Sequence, residues 1–441
     1  MLRIGLQISL CFVAVLLYAV IEGGNFHSPF CTLLGVSCPD LVEVEGYTNE
    51  KKGYGIMYID IWYVFIQKFS QSSITDRGIE VVNLCGGHIK GKKDKPIREG
   101  LQNVFSVGKA ITNIIIAILV DRGHLNYDEP IASYWPEFAV NNKENVTVTD
   151  LLQHSGGLTF LNPLIPYSLL AEDKINQLAT FLSNQSHCFG GERKTAYHIS
   201  SSGFYLNELI RRVDPLHRDA NQFMQDEIAS KLNVEFSYGL PEHQEDRYSP
   251  FYEYPMYKIL IKIVPRMFFN IPFLPVLHGR ETMLTYLNSS SEFAKAAPIF
   301  EGFTLDYLDS KHYRSVRSML SANGFSNAHS IAKIAHTMSL DGEAVDGIKL
   351  IKNPKIIRRA NKVAGAYHDL TFNRNFTYTY GGFSTFLNAT GWFGLGGSLL
   401  LWDAKTGVTF SYVTNAKGVC ADVDDRAEEL YTTFLNLRNK I

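Results

Sequence analysis

One segment, residues 105–122, constrains the fold more than any other part of this 441-residue chain. From Ala110 to Val120 only Thr112 and Asn113 are polar. A helix that is apolar on all sides has to be covered on all sides, and Gly123 is typical of a helix end. The segment therefore predicts a central helix inside a core that only a large domain can build.

Ser106 and Lys109 lie three residues apart at the beginning of this helix. Positions i and i+3 share a helix face, so the amine can reach the hydroxyl. Burial lowers the pKa of a lysine and makes it a usable base, while a helix N-terminus offers free N–H groups to an oxyanion. The pattern predicts Ser106 as a nucleophile activated by Lys109; the alternative is a helix-capping serine beside an ordinary lysine.

Composition excludes several other classes of protein. The 42 basic and 44 acidic residues give a net charge of −2, without the basic excess typical of nucleic-acid binding. None of the six cysteines lies in a C-x-x-C pair or in another spacing typical of a metal site. We therefore expect no nucleic-acid partner, no metal and no organic cofactor.

Three segments follow the helix in a characteristic order: Asp121–Pro130 (DRGHLNYDEP), Tyr134–Phe138 (YWPEF) and Val148–Leu158 (VTDLLQHSGGL). Together with the S-x-x-K helix, this order resembles the serine β-lactamase and penicillin-binding-protein superfamily. It is most similar to class C β-lactamase-related proteins, family VIII carboxylesterases and their animal β-lactamase-domain relatives. Val81–Gly87 and Ser321–Ser326 resemble further segments of that family, and the resemblance covers roughly residues 60–425.

The resemblance implies an α/β (α+β) fold with two lobes. An antiparallel sheet with flanking helices is expected from the N- and C-terminal parts, with a mainly helical lobe, roughly 125–320, inserted between them. The predicted domains are a signal peptide or signal anchor at 1–24, a linker or arm at 25–58, a catalytic domain at 59–425, and a C-terminal helix at 426–441 packing on the sheet. The site is expected between the lobes.

The family's second motif, Tyr-x-Asn, matches Tyr197-His198-Ile199, and Gly203 also fits the family's spacing. The resemblance implies that Tyr197 acts as a base or shares that role with Lys109. A phenol near a cationic lysine is expected to have a lowered pKa. Ile199 replaces the asparagine, and losing this amide argues against hydrolysis of lactam antibiotics.

The third motif, Lys-Thr-Gly or His-x-Gly in lactamases, matches Gly391–Ser398 (GWFGLGGS). Trp392 stands where the Lys or His would be, as in family VIII esterases, which favours a neutral acyl substrate. The resemblance implies an oxyanion hole formed by the backbone N–H groups of Ser106 and Leu395. Substrate-pocket positions are expected at Trp392, Gly394 and Gly396.

Several other features have less specific interpretations. The literal Lys405-Thr406-Gly407 is expected to be a turn between strands, His154 to hold a loop beneath the site, His198 to point away from the site, and Asp150 to cap a helix. Residues 250–279 predict a packed insertion or lid, or alternatively a contact with a membrane surface or acyl chain. Helices are expected at 59–70, 149–154, 167–183, 200–213, 326–340 and 424–438, and strands at 79–89, 378–389 and 398–415.

The N-terminal residues favour the secretory pathway. Residues 4–21 form a mostly apolar run after Arg3, a length between those of a signal-peptide core and a spanning helix. We expect the chain to be secreted or membrane-anchored, with the catalytic domain lumenal or extracellular. Five sequons predict glycosylation, at Asn145, Asn184, Asn288, Asn375 and Asn388.

The sequence thus predicts a serine hydrolase that cleaves an ester or amide through an acyl-enzyme on Ser106. The expected substrate is a small-molecule or lipid-like acyl compound. Ile199 and Trp392 motivate one alternative, a catalytically weakened or inactive binding protein on the same fold. A peptidase or transacylase is the other.

Overall fold

The computed structural model describes residues 70–86, 88–89, 92–96, 99–251, 285, 288–415 and 425–438. The predicted signal segment, the linker and most of the predicted insertion at 250–279 lie outside these residues. So does the predicted helix at 59–70, except for Ser70, which belongs to a strand.

The strands of the described residues are β1 (Ser70–Asp76), β2 (Ile79–Gly86), β3 (His88–Ile89), β4 (Lys92–Pro96), β5 (Gln102–Asn103), β6 (Phe236–Tyr238), β7 (Gly324–Ser326), β8 (Val363–Asp369), β9 (Arg374–Thr379), β10 (Ser384–Phe386), β11 (Ala389–Phe393), β12 (Leu399–Trp402) and β13 (Val408–Thr414).

The α-helices of the same residues are α1 (Val107–Asp121), α2 (Val148–Leu152), α3 (Ile175–Ser183), α4 (Ser201–Val213), α5 (Ala220–Met224), α6 (Ser230–Leu232), α7 (Glu292–Ala296), α8 (Lys311–Ser315), α9 (Ala328–His336), α10 (Pro354–Asn361) and α11 (Asp425–Arg438). Short 3₁₀ helices at Ile131–Ser133, Pro136–Phe138, Tyr167–Leu170, Glu172–Lys174, Glu242–Arg247 and Leu305–Asp309 and a π-helical turn at Gln225–Ala229 connect them.

Eight strands form one antiparallel sheet in the order β2-β1-β13-β12-β11-β10-β9-β8. Two of these strands come from the N-terminal part of the described chain and six from the C-terminal part, so the sheet closes only when distant segments meet. The region between contributes most of the helices, with β6 and β7 joining β5 in a small three-stranded sheet. The predicted fold class, an antiparallel sheet with flanking helices and a mainly helical lobe, is confirmed.

The helix α1 is the element that joins the two parts. It packs against β11 and α9 on the sheet side and against α4 and α5 on the helical side. Every residue from Val107 to Leu119 is buried, as its apolar composition predicts. Thr112 bonds to the Gly108 carbonyl and Asn113 to the Gly382 carbonyl, so the two polar side chains in its apolar stretch have partners.

The strand β1 is polar in sequence (SQSSITD) but buried at all seven positions. It lies between β2 and β13, and three of its hydroxyl groups bond to neighbours: Ser72 Oγ donates to the Ser411 carbonyl at 3.0 Å, Ser73 Oγ donates to Glu80, and Thr75 pairs with Thr409. Hydropathy did not predict this strand because hydrogen bonds, rather than apolar side chains, make its burial possible.

The structure differs from the sequence in the boundaries of several predicted elements. The expected strand 378–389 contains a break at Gly381-Gly382, where Gly382 has φ +75°. The expected strand 398–415 is two strands joined by the Lys405-Thr406-Gly407 turn, as the turn prediction requires. The first residue of the expected helix 326–340 belongs to β7, and that helix is the shorter α9.

The C-terminal helix α11 contacts the sheet. The Tyr431 and Phe410 ring centroids are 5.3 Å apart, and Arg438 pairs with Asp76 at 2.7 Å.

All five sequon asparagines are exposed, and their glycosylation stays a prediction. Among the described residues, no helix combines the length and apolarity needed to cross a membrane.

Gly391 on β11 lies so close to a neighbouring strand that no side chain fits there. A Cβ at this position would lie 1.9 Å from the Leu400 carbonyl oxygen, a backbone atom of the neighbouring strand. We expect Gly391→Ala to lower the free energy of unfolding by about 3 kcal/mol through overpacking. Gly347→Ala is the control, because a Cβ there meets open space and only its left-handed φ of +79° opposes the change, costing about 1–2 kcal/mol. Equal losses in urea unfolding would contradict the steric explanation.

Candidate active site

A strained turn presents Ser106 at the start of α1. Phe105 has φ +46°, a conformation that is unfavourable for a bulky side chain. Its N–H donates to Asn103 Oδ1 at 2.8 Å, and its buried ring packs on Phe251 with centroids 4.9 Å apart. Ser106 occupies the N-cap position but its hydroxyl makes no capping bond, so the capping alternative is wrong and the hydroxyl is available to Lys109.

Lys109 has three hydrogen-bond partners although it is only 3% exposed. Its Nζ donates to the carbonyl oxygens of Ile199 at 2.8 Å and Ser321 at 3.0 Å, and lies 3.2 Å from Ser106 Oγ. Burial lowers the pKa of this amine well below its ordinary value. In the neutral amine, two N–H groups face the carbonyls and the lone pair is left for the Ser106 hydroxyl.

The Ser321 carbonyl reaches Lys109 because a glycine lets α4 approach closely. Gly203 N–H donates to Ser321 Oγ at 2.8 Å, and a Cβ on Gly203 would lie 2.4 Å from the Ser321 nitrogen. The sequence indicated the family segment around Ser321 but assigned it no role. Its contribution is a backbone carbonyl, which leaves no signature in side-chain identity.

The ring of Tyr197 lies beside both Ser106 and Lys109. Lys109 Nζ is 4.8 Å from its ring centroid. Trp392 Nε1 donates to the Tyr197 phenol oxygen at 3.3 Å, and the two rings stack at 22°. Phe372 covers the ring, with centroids 5.1 Å apart. The structure therefore brings Ser106, Lys109 and Tyr197 together around one point.

The predicted lowering of the Tyr197 pKa is wrong. Burial has the largest effect and raises it well above the ordinary value, although hydrogen bonding to Ser106 and Trp392 opposes the rise. The prediction assumed a cationic lysine nearby, but burial also favours the neutral form of Lys109. Tyr197 is consequently a neutral phenol, a proton donor rather than a phenolate.

His154 holds the Tyr197 segment from behind, as predicted. Its carbonyl accepts from Ala196 N–H at 3.0 Å and its Nδ1 accepts from His198 N–H at 3.3 Å. Burial, together with His198 and Lys109, lowers the His154 pKa well below its usual range. The His198 ring is buried against His154, with centroids 5.0 Å apart.

Asp150 forms a capping box with Thr147 at α2, which confirms its predicted capping role.

The glycine-rich turn after β11 lies against Val104 and Phe105, the two residues before Ser106. A Cβ on Gly394 would be 2.3 Å from the Val104 carbonyl oxygen and 3.5 Å from Phe105 Cβ, so only glycine permits this approach. Gly396 follows with φ +88°. Leu395 is half-buried, whereas Trp392, Gly394 and Gly396 are buried.

The part of the chain that the structure describes also has cavities away from Ser106. One, about 520 Å³, is lined by residues including Asn83, Cys85, Glu235 and His329; another, about 310 Å³, includes His187 and Arg193. Neither includes Ser106. The described residues contain no group of three or more side chains suited to hold a metal ion.

The buried amine of Lys109 leads to a prediction about stability. Its folded pKa is lowered, so the native state binds fewer protons than the unfolded state between that pKa and 10.5. Stability contributed by this group is therefore lost as pH falls through that window. Relative to Lys109→Met, wild-type unfolding free energy should rise by about 1.4 kcal/mol per pH unit there.

Urea unfolding between pH 8 and pH 10 measures this slope. Lys355→Met, at an exposed position, controls for the substitution itself and should give no comparable slope. A pH-independent difference between wild type and Lys109→Met would contradict the burial of a neutral amine.

Comparison with known proteins agrees with this geometry. A family profile named Beta-lactamase matches residues 72–433. The chain is 27% identical over 320 residues to a Mycobacterium tuberculosis protein named esterase/beta-lactamase LipL, covering 71% of this chain and 68% of that one.

Solved structures also share the fold. A family VIII carboxylesterase is similar at TM-score 0.72 and 21% identity, covering 89% of this chain and 99% of that one. A penicillin-binding-protein homologue from Caulobacter crescentus gives TM-score 0.69 at 24% identity, covering 88% and 98%. Since the family profile matches most of its length, this chain belongs to the beta-lactamase family.

Proposed function

We propose that this protein is a serine hydrolase that cleaves carboxylic esters through an acyl-enzyme on Ser106. The pairing of Ser106 with Lys109 carries this proposal. The Lys109 amine is buried and its pKa lies well below the ordinary value. Its Nζ is 3.2 Å from Ser106 Oγ, and the Ser106 hydroxyl makes no helix-capping bond. A relative named esterase/beta-lactamase and a structural neighbour titled a carboxylesterase support this reaction class.

In the first half of the reaction, Lys109 removes the Ser106 proton as Oγ attacks the carbonyl carbon. The carbonyl oxygen becomes an oxyanion, which the N–H groups of Ser106 and Leu395 would stabilise at the N-terminus of α1. The C–O bond to the leaving group then breaks. The leaving alkoxide takes a proton from the Tyr197 phenol, which regains one from the Lys109 ammonium.

In the second half, water replaces the alcohol. Lys109 takes a proton from the attacking water, and the bond between Ser106 Oγ and the acyl carbon breaks. Ser106 recovers a proton from the Lys109 ammonium, through the Tyr197 phenol, as the carboxylic acid leaves. Tyr197 acts here as a protonated relay, because burial keeps its phenol neutral.

The proposed substrate is an uncharged acyl compound rather than a lactam antibiotic. Ile199 and Leu395 are half-buried apolar side chains of the candidate site. Trp392 stands at the position where lactamases place a cation that can bind a carboxylate. Neither Ile199 nor Trp392 can pair with an anionic substrate, so an ester with an apolar acyl group suits this site better. Secretion and the lumenal placement of the catalytic domain stay predictions.

Ser106→Ala tests the reaction. We expect wild-type protein to hydrolyse p-nitrophenyl esters and to be labelled by a fluorophosphonate, and the variant to lose both by about three orders of magnitude or more. Ser202→Ala is the matched control, because Ser202 is buried nearby and bonds to Ser321 Oγ rather than to Lys109. Wild-type protein that neither labels nor turns over would favour the binding-protein alternative; product transfer to an added alcohol or amine would favour a transacylase.

Trp392→Phe tests the relay. The variant keeps an aromatic ring stacked on Tyr197 but removes the indole N–H that donates to the phenol oxygen. Losing one hydrogen bond of about 1 kcal/mol should lower kcat about fivefold, with little change in KM. Trp402→Phe is the control, since its indole donates to Asn361. An unchanged kcat in Trp392→Phe would show that the hydrogen bond from Trp392 to the Tyr197 phenol does not assist proton transfer.

A further inference from the structure

The segment that carries Tyr197 is neither helix nor strand, so its main-chain groups depend on neighbouring elements for partners. His154 holds one side of the segment through the N–H groups of Ala196 and His198. Thr159 Oγ1 donates to the Ala196 carbonyl at 3.2 Å. The opposite side faces the turn between β8 and β9.

That turn makes three contacts with the segment, two of them with Tyr197 itself. Leu370 N–H donates to the Thr195 carbonyl at 3.0 Å, and Thr371 Oγ1 donates to the Tyr197 carbonyl at 3.1 Å. Phe372 packs on the Tyr197 ring. Thr371 is fully buried, so its hydroxyl is committed to this bond and solvent cannot replace it.

Asp369 completes the arrangement at the end of β8. It is fully buried, and its Oδ1 accepts from Phe372 N–H at 2.9 Å, which closes the turn. The backbone N–H groups of Thr371 and Tyr197 also act on this carboxyl, and its Oδ2 has no hydrogen-bond partner. A buried carboxyl in this position closes the turn whose Thr371 hydroxyl bonds to the Tyr197 carbonyl.

We propose that Asp369 and Thr371 are positioning residues that fix the main chain of Tyr197 and so hold its phenol at Ser106. The catalytic part of this inference rests on the proposed hydrolase function. Neither residue reaches the reacting atoms; both act through Tyr197. No motif in the sequence marks them, because they lie more than 170 positions further along the chain.

The charge on Asp369 adds a pH dependence to this arrangement. Burial raises the Asp369 pKa to about 7, while the three N–H groups and Arg374 on β9 oppose the rise. The groups that respond to its charge are the Tyr197 and Tyr378 phenols, whose pKa values it raises further. As pH rises through about 7, the Tyr197 phenol becomes a weaker proton donor.

Three variants of the full chain test the positioning role: Thr371→Val removes the hydroxyl at nearly constant shape, Thr371→Ser retains it, and Asp369→Asn leaves a permanently neutral group. Hydrogen exchange of the peptide spanning 195–199 measures the segment independently of catalysis. We expect exchange about fivefold faster in Thr371→Val and near wild type in Thr371→Ser. Unchanged exchange in Thr371→Val would overturn the positioning role.

Ester turnover supplies the second measurement. Thr371→Val should lower kcat about fivefold without raising KM, and Thr371→Ser should restore it.

The ratio of wild-type to Asp369→Asn kcat should be constant below pH 6 and fall as pH rises through about 7. A loss of melting temperature with a pH-independent ratio would make Asp369 merely structural. If exchange changes as expected but wild-type protein has no Ser106-dependent turnover, the proposed hydrolase function fails and the positioning of Tyr197 stands.

Discussion

The burial of one amine governs the architecture of this protein. Lys109 lies in a helix with almost no polar surface, where an unpaired charge would be costly. Backbone carbonyls of Ile199 and Ser321 accept two of its hydrogens. Both carbonyls lie on segments far from α1 in sequence, so the lysine can be accommodated only after the helical lobe has packed on that helix. Burial of the amine and assembly of the site are therefore the same event.

The site uses irregular backbone where the chemistry takes place. Phe105 adopts a left-handed conformation just before Ser106, and the Tyr197 segment follows no regular pattern. Such segments persist only when surrounding elements supply their hydrogen bonds. Here His154 supplies them from one side and the β8–β9 turn from the other. Hydrogen bonds from flanking segments thus take the place of regular secondary structure in holding these residues.

A layer of aromatic rings, two of them carried by strands β9 and β11, connects the site to the sheet. The Tyr197, Trp392 and Tyr378 rings pack on one another with centroids about 6 Å apart, and His154 lies against all three. The layer is buried, and this burial raises the pKa of Tyr197 and lowers that of His154. The same exclusion of water that keeps Lys109 a base keeps Tyr197 an acid, so a single environment prepares both groups for opposite proton transfers.

The sequence by itself determined the buried helix, the Ser106–Lys109 pair, the place of Tyr197 and the fold class. The helix and the Ser106–Lys109 pair follow from local periodicity and from the spacing of residues on a helix face, whereas the place of Tyr197 and the fold class follow from the resemblance of the motifs to a known family. Only the tertiary structure decided the direction of the Tyr197 pKa shift, the polar but buried β1, and the parts played by Ser321, Asp369 and Thr371. A pKa depends on burial by distant segments, and a backbone carbonyl is the same in every residue, so neither property is written in the local order of side chains.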